Sequence, residues 1–572
     1  MVDLLGIAEG NVSRFRWALI GSGMIVLSLL GYCLGYTVDG TGQSILNTLA
    51  RAQAAIFAIV FSVVILGVRL SATRYSPRLA TAFRSDPAYK QTVGIFVVSI
   101  GFDIAVLYVF NVVTDFHRTI LILFSSGLAI GAFWKLYDFV NDTLERTTPE
   151  GILNQIRENL TPEVIIEDAY DASENATNRD PFLVLISVIR STIEEADRVS
   201  ASIGLEILGD KISDLLRTAS EDEFEENTPV DKSLENVCVD NLPTVAEEAI
   251  EEDITQIATE VTETAETIGN TAIEEELERP LELVVKGQTD LIDNIGYEAN
   301  EERVRTEVID VVRGLIQDAA DNELWYSAAI GSRLLGWISA ASIMNRDADQ
   351  RHDGRYTTLL INGFPKILAI VVDSDEEFTE HRTTAWIRRE TDGVDPVDLL
   401  VWSCYDSMAE LTSAAVRYEM RTGQRLLNWE HVAYGWSEGL NDLTDTDLDS
   451  LPRIWFGTIL YLSYIAEVTE DAVMTGFDPR ARFEVDNNFA SETIGMISDG
   501  SLDPTSRMNH IPGGVNPLEL PRTGMPTPIV KKAETTFEEW LENKKQVYDN
   551  LDSSVGGFGS FDSFADVEDD EE

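Results

Sequence analysis

Four apolar runs crowd the first 140 residues, and each is about as long as a lipid bilayer's hydrocarbon core is thick. A helix needs ~20 mostly apolar residues to cross that core. The runs are "WALIGSGMIVLSLLGYCLGYT" (17–37), "AQAAIFAIVFSVVILGV" (52–68), "TVGIFVVSIGFDIAVLYVFNVV" (92–113) and "TILILFSSGLAIGAFWKLY" (119–137). The second is short but extends into its flanks. The first is too long for a signal-peptide core and lacks an A-x-A cleavage site, so it is expected to stay as a span. Backbone groups in lipid must be paired within the segment, so runs of this kind are expected to be helical.

Charge orients the spans. The chain has 572 residues and a formal net charge of -55, with 98 acids against 43 bases. Residues 1–140 nevertheless hold ten bases and seven acids, which leaves -58 on the rest. The basic island "RLSATRYSPRLATAFRSDPAYKQ" (69–91) joins the second and third runs. Lys/Arg-rich short loops stay on the cytoplasmic side. The island, with Arg14 and Arg16 before the first run, predicts a cell-membrane, multi-pass protein with its N-terminus and C-terminal region in the cytoplasm. The connections 38–51 and 114–118 carry only Arg51 and Arg118 as bases and fit outside. Pro77 lacks an N–H and biases Ser76 away from helix, so the second span is expected to end or kink there. Arg74, Arg78, Arg84 and Lys90 then reach headgroup level, where they set topology or contact anionic lipid or a partner.

Small residues recur at helical spacing: Gly31 and Gly35 in the first span, Gly127 and Gly131 in the fourth. Such pairs let helix backbones approach, either within one bundle or between subunits of a homo-oligomer. Asp103 stands near the middle of the third run. An acid there is costly unless paired, neutral or hydrated. Two readings stay open. It lines a path for an ion or proton, with Gln53, Ser125 and Ser126 beside it, or it is a packing residue hydrogen-bonded to one of those three.

The stretch "FSVVILGVRLSATRYSPRL", followed by "FRSDPAYKQTVGIF", resembles a family of predicted membrane proteins, Domain of Unknown Function 2254. The matching positions are Phe61, Ser62, Ser76, Pro77, Arg78, Leu79, Phe83, Asp86, Gln91, Gly94 and Phe96, within residues 44–105. "NRDPFLVLI" (178–186) is a looser echo of a further family stretch. The resemblance implies an integral membrane protein and carries no established activity.

The acidic remainder is expected to fold, because Trp325, Trp337, Trp402, Trp429, Trp436 and Trp455 sit amid regular apolar patterns. Lysines number ten against thirty-three arginines. An acidic, lysine-poor surface suits a cytoplasm at molar salt, where the Debye length shrinks to ~3 Å. The reading is a halophilic, haloarchaeal-type protein that does not bind nucleic acid.

The organisation expected is all-α: a four-helix transmembrane bundle followed by a large helical cytoplasmic domain. Residues 1–16 form a cytoplasmic N-terminus, 17–140 the transmembrane domain and 141–217 a juxtamembrane helical region. Residues 218–233 read as an acidic linker, 234–500 as the helical cytoplasmic domain, and 501–572 as a largely disordered Pro/Gly-rich segment and acidic tail, with a short helix near Phe537 to Leu551. Ile250, Ile254, Ile257, Val261, Ala265, Ile268 and Ala272 mark one long helix, read as a bundle helix rather than a coiled-coil seam. The run 324–344 carries Arg333 in its middle and is read as a buried helix rather than a fifth span.

Catalytic and metal motifs are sparse. Cys33, Cys238 and Cys404 are far apart, and five histidines are dispersed, so neither a cofactor nor a metal is expected. "GWSEG" (435–439) fits G-x-S-x-G, but its surroundings read as helix and turn, and the only later histidine is His510. It is taken as a chance match and the protein as a non-enzyme. Two functions compete. One is an oligomeric ion or small-solute pathway gated by the cytoplasmic domain. The other is a membrane-anchored scaffold or sensor whose cytoplasmic domain binds protein partners.

Overall fold

Three helices pack by a shared three-four alternation of inward residues. They are α1 (Thr41–Arg74), α2 (Pro87–Val109) and α3 (Asp115–Arg146) of a computed structural model. The structure describes residues 41–74, 87–146, 148–175, 180–295, 299–345, 354–374, 395–444, 446, 450–469, 474–478, 485, 487–502 and 537–551. Among these there is no β-strand. The expected span at 17–37, with Gly31, Gly35 and Cys33, lies outside the described residues, as do Arg78, Arg84 and His510.

The buried positions of α2 are Thr92, Phe96, Ser99, Asp103, Val106 and Phe110 just beyond its end; those of α3 are Ile122, Ser125, Ala129, Ala132, Leu136, Phe139 and Thr143. α1 contributes Leu46, Ala50, Gln53, Phe61 and Val64. This near-3.5-residue repeat is the signature of left-handed, nearly parallel helix packing. Gly127 and Gly131 are both buried. The opposite faces hold Ile59, Val63, Leu66, Val97, Val98, Ile104, Ile130 and Trp134, all exposed. Water tolerates apolar surface of that extent poorly, whereas lipid matches it.

α1 starts at Thr41, so most of 38–51, expected as a connection, is helix. Ser76 and Pro77, where this span is expected to end or kink, lie outside the described residues. α2 ends at Val109, short of the expected 113: the Arg118 guanidinium donates to the Phe110 carbonyl at 2.7 Å and lies over the Phe110 ring. α3 continues as a polar helix to Arg146, and Pro149 opens α4 (Pro149–Asn159), with the Thr148 hydroxyl accepting from Gly151 N. α4 packs on α3 and on a later helix, Leu183–Glu194, in the same compact unit.

The second unit holds α5 (Pro162–Asn175) and most of the chain after Ala196. The expected helical region 141–217 includes α6 (Leu183–Glu194) and α7 (Arg198–Thr218), which fall in different units. Ala196 between them is left-handed, and the Asp197 carboxylate caps α7 by accepting from Ser200 N. The stretch 218–233 is folded rather than a linker. A short 3-10 turn buries Phe224, and α8 (Pro229–Glu235) buries Val230 and Asp231, which holds Arg279 at 2.8 Å. Two buried apolar anchors outweigh the local excess of acids.

The long helix expected from Ile250 to Ala272 is two, α9 (Leu242–Glu251) and α10 (Thr255–Glu274). Asp253 takes a left-handed conformation between them; its N–H donates to Ile250 O, and Ile254 N donates to Ala249 O. The same paired bonds recur at Glu276–Leu277, before α11 (Glu278–Asn294), and at Glu323–Leu324, after α12 (Ala299–Asp321). Each is a Schellman stop with an acid where glycine is usual, followed by a buried Ile or Leu. α10 packs on α7, α9, α11 and α12, as a bundle helix does.

At the centre of this unit, α13 (Trp325–Asn345) packs along α15 (Pro396–Thr422), which is buried at every residue from Val397 to Met420. Asp395 caps α15 and left-handed Gly423 ends it. Arg333 makes a two-pronged ion pair with Glu410, Nη1 to Oε2 at 2.6 Å and Nη2 to Oε1. α14 (Arg355–Asp373), with α16 (Trp429–Thr444), α17 (Ser450–Val468), α18 (Asn487–Ser498) and α19 (Phe537–Leu551), completes the unit. The stretch Tyr356–Asp373 of α14 is, among the described residues, the fourth helix long and apolar enough to cross a membrane. It is 61% buried inside the protein, against 17%, 28% and 39% for the spans in α1, α2 and α3.

Candidate functional site

Position 53 of α1, 103 of α2 and 125 of α3 meet at one level of the bundle. The Gln53 amide Nε2 donates to Asp103 Oδ2 at 2.9 Å, and the Ser125 hydroxyl donates to Oδ1. All three side chains have no solvent exposure. Ser99 lies one turn before Asp103 on the same face and is equally buried. Gln53 Oε1 and Ser99 Oγ have no hydrogen-bond partner among the described residues.

Apolar clusters close this level on both sides. One contains Phe61, Val64, Phe96, Ala132, Leu136 and Phe139, with the Phe61 and Phe139 rings stacked 5.6 Å apart. The other contains Leu46, Val106, Phe110 and Ile122. Along α1, Gln53 lies roughly 10 Å from Leu46 and roughly 12 Å from Phe61, at 1.5 Å per residue. Asp103 is not at mid-helix. It stands six residues before Val109, roughly 9 Å from the α2 end at 1.5 Å per residue.

The other sequence candidates fall elsewhere. Ser126 is half-buried and is not among the partners of Asp103. Arg74 ends α1, and Lys90 is exposed in the first turn of α2, so these two flank the 75–86 connection. Sequence reasoning did not single out Ser99; its spacing of four from Asp103 on the inward repeat was the available signal. In "GWSEG", Ser437 is buried within α16 and donates to Ala433 O at 2.8 Å. A Cβ on Gly435 or Gly439 would come within 2.5 Å of Asn362 Oδ1 or Trp455 Cζ2. Close helix packing accounts for both glycines. A shallow acidic groove runs between α10 and α12, past Glu266, Glu302, Arg303, Glu307 and Asp310. Beside it the Glu263 carboxyl, exposed at its tip, is pushed above its ordinary range by partial desolvation first, then by Glu260, Glu307 and Glu266.

Residues 15–185 match the model of a family described as a predicted membrane protein, DUF2254. The match takes in all of α1, α2 and α3 and covers less than a third of the chain. No curated protein and no solved structure matches the chain. The family description and the apolar outward faces of the spans agree that this is a membrane protein.

Proposed function

We propose that the spanning helices form a gated pathway for an ion or small solute, with Asp103 as its charged point. The observation that supports this is the Gln53–Asp103–Ser125 layer enclosed between two apolar clusters. An acid within a spanning helix is costly, ~2.5–3.5 kcal/mol at the helix centre on insertion scales and less toward its end, where Asp103 stands. An apolar side chain would pack the same level without that cost. Apolar constrictions gate pores by excluding water, so the described arrangement reads as a closed state. The loop charge supports a cytoplasmic N-terminus and acidic unit, and the acid-rich, lysine-poor surface supports life at high salt. The test is flux of Na+, K+, H+ and Cl- into liposomes carrying the full-length protein. Asp103→Asn should abolish flux or change its selectivity while expression holds. Flux no greater than in empty liposomes, or equal flux and selectivity in the variant, overturns the reading.

A second reading is an anchored scaffold whose acidic unit binds partners. One observation favours it: the carboxylate already holds two donors, and such bonds between spanning helices serve as packing contacts. Absent flux together with loss of bundle stability in Asp103→Asn selects it.

A further inference from the structure

The geometry points to a monovalent-cation site in the spanning bundle, formed by the Asp103 carboxylate, Gln53 Oε1, Ser99 Oγ and Ser125 Oγ. The proposal rests on the reading of this layer as the functional centre and names the ligand class it would hold. Three features carry it.

The first is the donor set. All four groups offer oxygen, the ligand preferred by hard cations. Ser99 and Asp103 are four apart on one helix, so their Cβ atoms lie ~5–6 Å apart, near enough to share an ion. Gln53 and Ser125 already touch the carboxylate. Half a turn of the Gln53 amide exchanges Nε2 for Oε1 at the same place.

The second is the pair of unpartnered atoms. Gln53 Oε1 and Ser99 Oγ are fully buried and belong to this level. Native interiors leave few such atoms, and each calls for a physical cause. A cation supplies the cause for both. The two oxygens become ligands, and the amide that now donates to Asp103 turns to help it hold the ion.

The third is charge. The layer has one formal negative charge, and both groups bonded to it are neutral. A monovalent ion makes the site neutral in a low-dielectric setting between two apolar clusters. A divalent ion would leave a net positive charge there, a heavy desolvation cost.

The test uses the full-length protein purified in detergent, with choline chloride replaced stepwise by NaCl, KCl or LiCl at constant ionic strength. Thermal unfolding of the bundle and direct binding of radioactive 22Na+ are both read. One small cation should raise the melting temperature saturably over choline. Ser99→Ala, a mild change, should raise the half-saturating concentration about tenfold, one ligand's worth of energy. Asp103→Asn should abolish the response. A melting temperature equal in choline and in every alkali cation, with no saturable 22Na+ binding, overturns the site. So does a response to falling pH alone, which identifies a protonated acid instead. Saturable binding without liposome flux upholds the site and overturns the pathway. Flux without binding does the reverse.

Discussion

Glu419 offers the sharpest quantitative prediction in the second unit. It lies in the last turn of α15 and is almost wholly buried. Its Oε1 accepts from Leu426 N at 2.7 Å, Leu427 N at 3.3 Å and Trp429 Nε1 at 2.8 Å. Its Oε2 accepts from Trp429 Nε1 at 2.9 Å and from Met474 N at 3.1 Å. One carboxylate thus ties the end of α15 to the following turn, to α16 and to the 474–478 segment. Glu419→Gln keeps the size and one acceptor. The remaining oxygen best stays on the side with three donors, which turns the new NH2 toward Met474 N and the indole. One buried donor is orphaned against another donor, at a cost of ~2–3 kcal/mol. At roughly 1–2 °C per kcal/mol for a unit this large, that is roughly 2–5 °C of melting temperature. Glu419→Leu orphans four donors at ~1–3 kcal/mol each. The total is comparable to a domain's whole stability of ~5–15 kcal/mol, so that variant should fail to fold. The assay is near-ultraviolet circular dichroism on heating the full-length protein in detergent, which reports the Trp429, Trp436 and Trp455 surroundings. A Gln variant melting with the wild type would refute the account of Glu419 as the shared acceptor.

Three further outcomes are expected. Glu276→Gly should stabilise the second unit by ~1 kcal/mol, because the left-handed position then carries no side-chain penalty; a lower melting temperature would count against the Schellman geometry. For Glu263, whose folded pKa is raised, the folded state binds more protons than the unfolded one, so stability falls as pH rises through that window. Glu263→Gln should therefore melt slightly higher than wild type at neutral pH, by less than ~1 kcal/mol because the side chain is exposed, and the gain should vanish near the ordinary value of 4.5. Melts at both pH values check the sign. Topology is testable by thiol labelling in a Cys33→Ser background, since burial pushes the Cys238 and Cys404 thiols up to about 12 and keeps both silent. A cysteine at Gly40 should react with an impermeant reagent from outside, and one at Ser85 should not; the reverse pattern inverts the orientation.

The bundle and its centre were legible in sequence for one reason: charge is nearly absent from the spans. Against that background a single acid stands out, and the polar residues able to meet it are few. Gln53 and Ser125 could be named beside Asp103 from the runs alone. Ser99 escaped because a lone serine in an apolar run is unremarked until the inward repeat is laid out. The end of α2 at Val109 was also missed, since it depends on Arg118 reaching back to the Phe110 carbonyl.

The second unit hides its centre by the opposite effect. It carries nearly all of the 98 acids, and among the described ones few are buried. The few that organise the interior look like the rest. Glu410 differs from its neighbours only because Arg333, 77 residues earlier, comes to meet it. Glu419 is defined by Met474, 55 residues later. The helix breaks at Asp253 and Glu276 were concealed in the same way, because acids occupy positions where glycine would have marked a stop. An acid therefore carries information in proportion to its cost where it sits. In the bundle that cost is high for any position and can be read from the run itself. In the second unit it is set by burial through distant contacts, so only the folded arrangement separates Glu410 and Glu419 from the solvated majority.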